Sequence, residues 1–497
     1  MSNIIEHLPV LQIVVPLVAA PTIVLFRNST LSWILAVLAS WFCLFGSITM
    51  LNQINGGGEI PTYLIGGWDP HVGIVYQVDI ANAFILTLLS GISAVVFVYA
   101  RTSVRDEIPE AKHHYFYAAL LLCFTGLMGM AITGDAFNIF VFLEISSLSG
   151  YALIAMGRNP KALTAAYRYL IMGTLGGTFI LLGIGFLYMM TGTLNLEELS
   201  HAVPHYAETS VVRAAFAFIT VGTCIKLALF PLHMWLPNCY TYAPSVVSAF
   251  LSATATKVSF YVLLRAMFML FGAALIAQAK IFLSFVIFLA LIGIFMGSLK
   301  AIGQDDVKRL LAYSSIAQIG YMVLGLSLDN ADGLTGAIIH LFNHALTKGG
   351  LFLVMGCFMY RLNSTKIKDL TGIGKKMPLT MFAFTIGGLS LIGVPLTAGF
   401  ISKWYLAMGA LQAGMWWLLV LILLASLLAV VYIFRVLEAA YFGTPEKEHD
   451  VEEAPFSLLF PTYVLIGSTI FFGIWTEPML GAARKSAELF LSSGGAL

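Results

Sequence analysis

Apolar residues along this chain come in blocks of about twenty, separated by short polar breaks. Blocks long enough to cross a hydrocarbon core of roughly 30 Å can be read at 8–26, 31–51, 80–100, 115–133, 136–157, 167–190, 213–236, 244–271, 281–299, 307–328, 335–360, 379–407, 415–442 and 457–476. The pattern therefore predicts an all-α polytopic membrane protein with about fourteen spans, numbered here in that order. An even number of spans places both termini on one side. No basic stretch precedes 8–26 and no clear small-residue site follows it, so that block reads as a span and not as a cleavable signal peptide. The stretch 52–79 is glycine-rich and free of Lys and Arg, and is expected to form a hairpin. The charged stretch 443–456 is expected to be a solvated cytoplasmic loop.

Two blocks contain breaks. In KLALFPLHMWLPNCYTYAPSVVSAFLSATATK, Lys226 to Lys257, Pro231 interrupts span 7; in GVPLTAGFISKWYL, Pro395 and Gly399 interrupt span 12. Proline removes an amide donor and breaks the helical ladder. Broken backbone at membrane depth persists only where protein or a water-filled cavity satisfies it.

The breaks belong to a weak internal repeat. Asp135 is followed fifteen residues later by Gly150-Tyr151, and Asp305 by Gly320-Tyr321 at the same distance. Thr174, Gly176, Gly177, Phe179 and Gly183 match Thr347, Gly349, Gly350, Phe352 and Gly356, and Pro231-Leu232 matches Pro395-Leu396. Spans 5, 6 and 7 thus match spans 10, 11 and 12. A five-span unit is odd, so the second copy is flipped in the bilayer, a transporter design. The expected divisions are 1–114 (spans 1–3), 115–271 (first unit), 272–442 (second unit) and 443–497 (loop, span 14 and a short outer tail).

Composition agrees with the pattern: of 497 residues, 59% are hydrophobic and 10% charged, against about 25% charged in soluble domains. The net charge of +1 offers nothing to nucleic acid. Seventeen Lys and Arg fall in loops facing away from the termini and four, Arg213, Lys280, Arg484 and Lys485, on the terminal side. By the positive-inside rule both termini face the outside of the cell. The five cysteines are scattered without metal-ligand spacing, and no haem, flavin or iron–sulfur pattern appears. No cofactor is expected.

The remaining basic residues, Lys226, Lys257, Arg265, Lys348 and Lys403, lie inside spans, where a positive side chain costs roughly 2.5–3.5 kcal/mol at a helix centre. Intramembrane ionisable residues are candidate functional groups by default. Glu144 is the acidic residue well inside a span, and Lys226 is its natural partner. A carboxylate at varying distance can switch a lysine between holding and releasing a proton, work arginine cannot do. Lys257 follows Ser248, Ser252 and Thr256, spaced by four on one helix side. That side could hold water, or its small residues could simply allow close packing. His340, His344 and Lys348, also spaced by four, can pass a proton stepwise; no third ligand suggests a metal at the histidines. Lys403 follows the second break and would complete the row, unless it reaches for the interface. Asp135, Arg158, His233, Arg265, Asp305, Lys308 and Arg309 either feed the path or anchor span ends.

These residues, with DDVKRLLAYSSIAQIGY (305–321), resemble the antiporter-like subunits shared by Mrp-type cation/proton antiporters, respiratory complex I and membrane-bound hydrogenases. The resemblance runs from about span 4 to span 13. It implies fourteen helices, two inverted five-helix units with broken helices 7 and 12, and a proton route through Glu144, Lys226, Lys257, His340, His344, Lys348 and Lys403. Within that family the chain looks like a D-type Mrp subunit, a proton-translocating part of a multisubunit Na+/H+ antiporter in a prokaryotic cell membrane. A proton-pumping subunit of a redox-driven complex is the alternative. The first role implies other membrane subunits, protons, a monovalent cation and the lipid bilayer as partners; the alternative shares all of these except the cation. In a third reading the chain is a scaffold whose charges serve only packing.

Overall fold

The structure, a computed structural model, describes residues 6–58, 61–272, 280–445 and 451–495. Among the described residues thirteen helices are long and apolar enough to cross a membrane. They are spans 1 (Leu8–Phe26), 2 (Ser29–Asn55), 3 (Ile80–Glu107), 4 (His113–Ile132), 5 (Ala136–Ala155), 6 (Lys161–Thr191), 7 (Ser210–Leu227), 8 (Ser245–Leu270), 9 (Lys280–Ile302), 10 (Val307–Ser327), 11 (Ala331–Leu362), 13 (Trp416–Phe442) and 14 (Phe456–Ile474). Span 12 is a broken pair, Pro378–Ile392 and Ala398–Gln412. Span 7 likewise resumes, after its break, as Leu236–Tyr242. Most of the expected loop 443–456 is seen, but Lys447 and its neighbours at 446–450 lie outside the described residues.

Burial sorts the spans into a centre and a rim. Span 11 is wholly buried along its most apolar stretch, and spans 8 and 10 nearly so. In spans 1, 2, 6, 9, 13 and 14 less than half of that stretch is buried. The rim faces are apolar because lipid contacts them; the central helices can carry polar groups because protein surrounds them.

The inverted repeat is written in the backbone. Ala136 N donates to Leu194 O and Leu196 N to Gly134 O; in the other half Val307 N donates to Thr365 O and Ile367 N to Asp305 O. Every residue of the second clasp is 171 further on. Asp135 caps span 5 by accepting from Asn138 N, and Asp306 caps span 10 by accepting from Arg309 N. Thr193 donates to Glu198 and Ser364 to Asp369, again 171 apart. Four crossings precede the first clasp and nine the second, so the two lie on opposite faces. The cap equivalent to Asp135 is therefore Asp306. The Asp135–Asp305 match in sequence is one residue out, and Asp305 instead pairs with Arg435 at 2.8 Å.

The breaks differ in detail. Span 7 stops at Ala228, whose φ is 62°, while the first half of span 12 stops at Gly393 with φ 91° and Leu396 follows with φ 73°. A third interruption has no counterpart in the sequence pattern: span 8 loses helical geometry at Thr254 (φ −122°, ψ −59°) and ends in a π-turn, Arg265–Leu270.

The expected hairpin is present, with Thr62–Leu64 paired antiparallel to Val75–Gln77. His71, in its turn, meets Glu198 at 2.8 Å. The tail after span 14 is a helix, Glu477–Gly495, whose Phe490 ring lies 5.7 Å from the Arg265 guanidinium. Arg265 also donates to Tyr261 Oη at 2.7 Å and pairs with Asp79 Oδ2 at 2.5 Å. Asp79 in turn caps span 3, accepting from Ala81 N and Asn82 N. Arg265 is thus an anchor joining span 3, span 8 and the tail. Breaking a buried pair costs about 3–5 kcal/mol because the survivor is left uncompensated. Asp79→Ala is accordingly expected to lower the thermal unfolding temperature of the detergent-solubilised protein, which calorimetry checks.

Candidate functional site

Lys226 is the penultimate residue of the first half of span 7, next to the break. Its Nζ lies 3.6 Å from Glu144 Oε1 and donates to Ser147 Oγ at 2.8 Å. Glu144 and Ser147, three apart on span 5, share the face turned to span 7. The lysine is buried, while the Glu144 side chain keeps 25% of its surface open. Gly177 on span 6 makes room for the carboxylate: a Cβ there would run into Glu144 Oε1. One span further, Gly176 packs its backbone against Gly222 of span 7. Gly177→Ala is therefore expected to push Glu144 off Lys226 and slow transport roughly ten-fold, since small misplacements at a reacting pair cost that much or more. Flux per assembled complex in vesicles is the check.

Lys257 is completely buried, one turn beyond the interruption at Thr254. The lost helical bonds leave a carbonyl to spare, and Lys257 Nζ donates to Ser252 O and, at 3.4 Å, to Thr256 Oγ1. The wet serine face expected from sequence takes a different form. Ser248 Oγ donates to Tyr240 O at 2.8 Å and Ser252 Oγ to Ala249 O at 3.1 Å, so these hydroxyls are held by backbone carbonyls.

The row on span 11 is joined to Lys403. The His340 and His344 rings stack 6.2 Å apart, and His340 Nδ1 meets Ser402 Oγ at 2.9 Å. Tyr321 bridges: its ring centroid is 5.5 Å from His340 and 5.2 Å from Lys403 Nζ. Lys403 reaches back to the broken end of the first half of span 12, donating to Ile392 O at 2.6 Å, Leu391 O at 3.4 Å and Ser426 Oγ at 3.0 Å. A cation at the free carbonyls of a helix end is electrostatically favoured. Lys403 does not reach for the interface. Beside it His340, Asn343, His344, Gln318 and Thr347 line a cavity with room for about one water molecule. Among the described residues, His340 Nε2, both His344 ring nitrogens and Asn343 Oδ1 have no hydrogen-bond partner. At the other end of the row, Lys348 Nζ donates to Leu311 O at 2.8 Å and to Ser314 Oγ on span 10.

The structure brings Glu144 and Lys226 together, and His340, His344 and Lys403 together. Among the described residues no direct hydrogen bond links Lys226 to Lys257 or Lys257 to the histidines. Asp135 and Arg265 serve as cap and anchor. His233 lies in the span 7 break, its ring stacked 5.3 Å from Phe230. Sequence reasoning missed Glu107, because span 3 runs seven residues past its expected end and carries this carboxylate, 9% exposed, inside the fold. Among the described residues no three His, Cys, Asp or Glu side chains converge to hold a metal.

The family model described as "NADH:quinone oxidoreductase/Mrp antiporter, TM" matches residues 133–429. The chain belongs to this family. Among members of the NADH:quinone oxidoreductase/Mrp antiporter family, it is 41% identical over 495 residues to the NADH-quinone oxidoreductase subunit N of Desulforudis audaxviator (strain MP104C), covering 95% of this chain and 97% of that one. It is 29% identical over 490 residues to the D subunit of the Na(+)/H(+) antiporter of Alkalihalophilus pseudofirmus, covering 98% and 97%. In fold it matches a chain of the Mrp complex from Dietzia sp. DQ12-45-1b with a TM-score of 0.90 at 24% identity, over 98% of each. The matched region covers most of both inverted units and contains every ionisable residue of the candidate row.

Proposed function

We propose that this chain is the proton-translocating subunit of a multisubunit membrane complex and no enzyme by itself. Its protons move along Glu144, Lys226, Lys257, His344, His340 and Lys403, with Lys348 at one end of the histidine row. The observation that carries this reading is the 3.6 Å approach of Glu144 to the buried Lys226 at a helix break. Two opposite charges at membrane depth, held where the backbone is already interrupted, make a pair whose spacing can control a proton. Coupling runs to export of a monovalent cation, sodium first, through a path shared with other subunits, as in the Na(+)/H(+) antiporter to which the Alkalihalophilus relative belongs by name. The excess of basic residues on loops facing away from the termini supports a cell membrane location with both termini outside.

A second reading rests on one finding, the 41% identity to a protein named as an NADH-quinone oxidoreductase subunit. There the same row is driven by redox chemistry on other chains. One experiment separates the two: purify the native complex, reconstitute it, and record internal pH after a sodium pulse and after addition of a quinone with a reductant. A pH change on the sodium pulse alone is expected. A response only to reductant would replace antiport by redox pumping, and no response to either would reject proton translocation.

A further inference from the structure

The route above needs an entrance, and the structure holds an unassigned cluster of buried charge at the face where span 8 begins. Glu107 accepts from Ser103 Oγ at 2.9 Å and, with both carboxylate oxygens, from Ser245 N at 2.9 and 3.1 Å. Lys308, in the first turn of span 10 and 3% exposed, donates to Ser245 Oγ at 3.1 Å and to Ala243 O at 3.4 Å. Ser245 therefore stands between a buried carboxylate and a buried ammonium. A helix cap alone does not call for that pairing, because a neutral Ser or Asn side chain supplies the acceptor without burying charge.

The cluster has a wet side and a dry side. On the wet side Arg158 Nε donates to Glu107 O at 3.3 Å, and Arg158 Nη2 lies 3.7 Å from Asp106 Oδ2, with half of the arginine side chain and a third of the aspartate exposed. On the dry side, Leu311 follows Lys308 by three residues, about 4.5 Å along the helix. The Leu311 carbonyl is the one that accepts from Lys348 Nζ. Lys348 ends the His340–His344–Lys348 row, so the row meets span 10 at a backbone carbonyl three residues beyond Lys308. Other titratable groups facing the cluster are Tyr99, which donates to Leu353 O, and Asp306, engaged by Arg309 N and Thr365 Oγ1. Both have partners of their own.

We propose that Glu107 is the proton-loading residue for the histidine row, with Lys308 the relay to Lys348. A proton from water at the Arg158–Asp106 side binds the Glu107 carboxylate. Lys308 gives a proton to a neutral Lys348 amine and recovers one from Glu107, which returns to carboxylate; the net change is one proton carried inward. The assignment rests on the proton-translocation reading of the row.

Glu107→Gln, Glu107→Asp and Glu144→Gln complexes in sealed vesicles test it, with flux per assembled complex measured against pH and the carboxyl-stretch region recorded by difference infrared spectroscopy. Glu107→Gln is expected to lose roughly ten-fold or more in flux together with one protonation-sensitive carboxyl band. Glu107→Asp is expected to keep flux with a displaced pH profile. Wild-type flux and profile in Glu107→Gln would overturn the assignment, as would a loss explained wholly by less assembled complex. Should Glu107→Gln not assemble, an unchanged profile in Glu107→Asp overturns it. If Glu144→Gln also transports normally, the row itself is not a proton path; if Glu144→Gln fails while the Glu107 variants behave as wild type, only the loading role falls.

Discussion

Glu144→Gln and Lys226→Ala are each expected to abolish proton-coupled transport while the assembled complex persists. The pair meets at 3.6 Å, and Ser147 supplies Lys226 with a second acceptor at 2.8 Å. Gln keeps the shape of Glu144 and fills the space left by Gly177, so packing is preserved and the charge alone is lost. Without the carboxylate, no varying distance remains to switch Lys226 between holding and releasing its proton. Lys226→Ala removes the amine itself. Loss of a proton carrier costs about 100-fold or more in rate, so flux in vesicles should fall to background, with subunit abundance by immunoblot near wild type. Normal flux in both variants would reject the pair as a transfer site.

Lys403→Arg is expected to fail as completely, for a different reason. Lys403 holds the Ile392 and Leu391 carbonyls at the break in span 12. A guanidinium can make the same bonds and leave the helix end satisfied, so the fold and the assembly should survive. It cannot release a proton at any working pH. Transport should drop by about 100-fold with thermal stability nearly unchanged. Full activity would show that Lys403 serves only as a charge at a helix end.

Much of this is legible in the sequence alone. The spans follow from length and apolarity, which the bilayer imposes directly. Pro231 and Pro395 mark two breaks because a missing amide is a local fact. His340, His344 and Lys348 share a face because their spacing of four is close to one helical turn. Other features depend on partners far along the chain. Nothing near Thr254 announces an interruption, for no proline or glycine is there; the irregular turn is matched by the lysine that takes the Ser252 carbonyl. Glu107 reads as a loop acid until span 8 is seen to begin against it. The serine face of span 8 has the period of a wet stripe, yet the same period serves hydroxyls that bond their own backbone. Arg265 reads equally as path or anchor, and only the position of Asp79, 186 residues earlier, decides it.

The paired clasps at Gly134–Leu196 and Asp305–Ile367 bear on the surrounding lipid. Each pins the start of a transmembrane helix to a loop by two backbone bonds and a capping carboxylate, one on either side of the sheet of lipid. Helices stopped this firmly cannot fray to suit their host, so the chain carries its own gauge of bilayer thickness. Acyl tails that are too long or too short must stretch, compress or tilt around it.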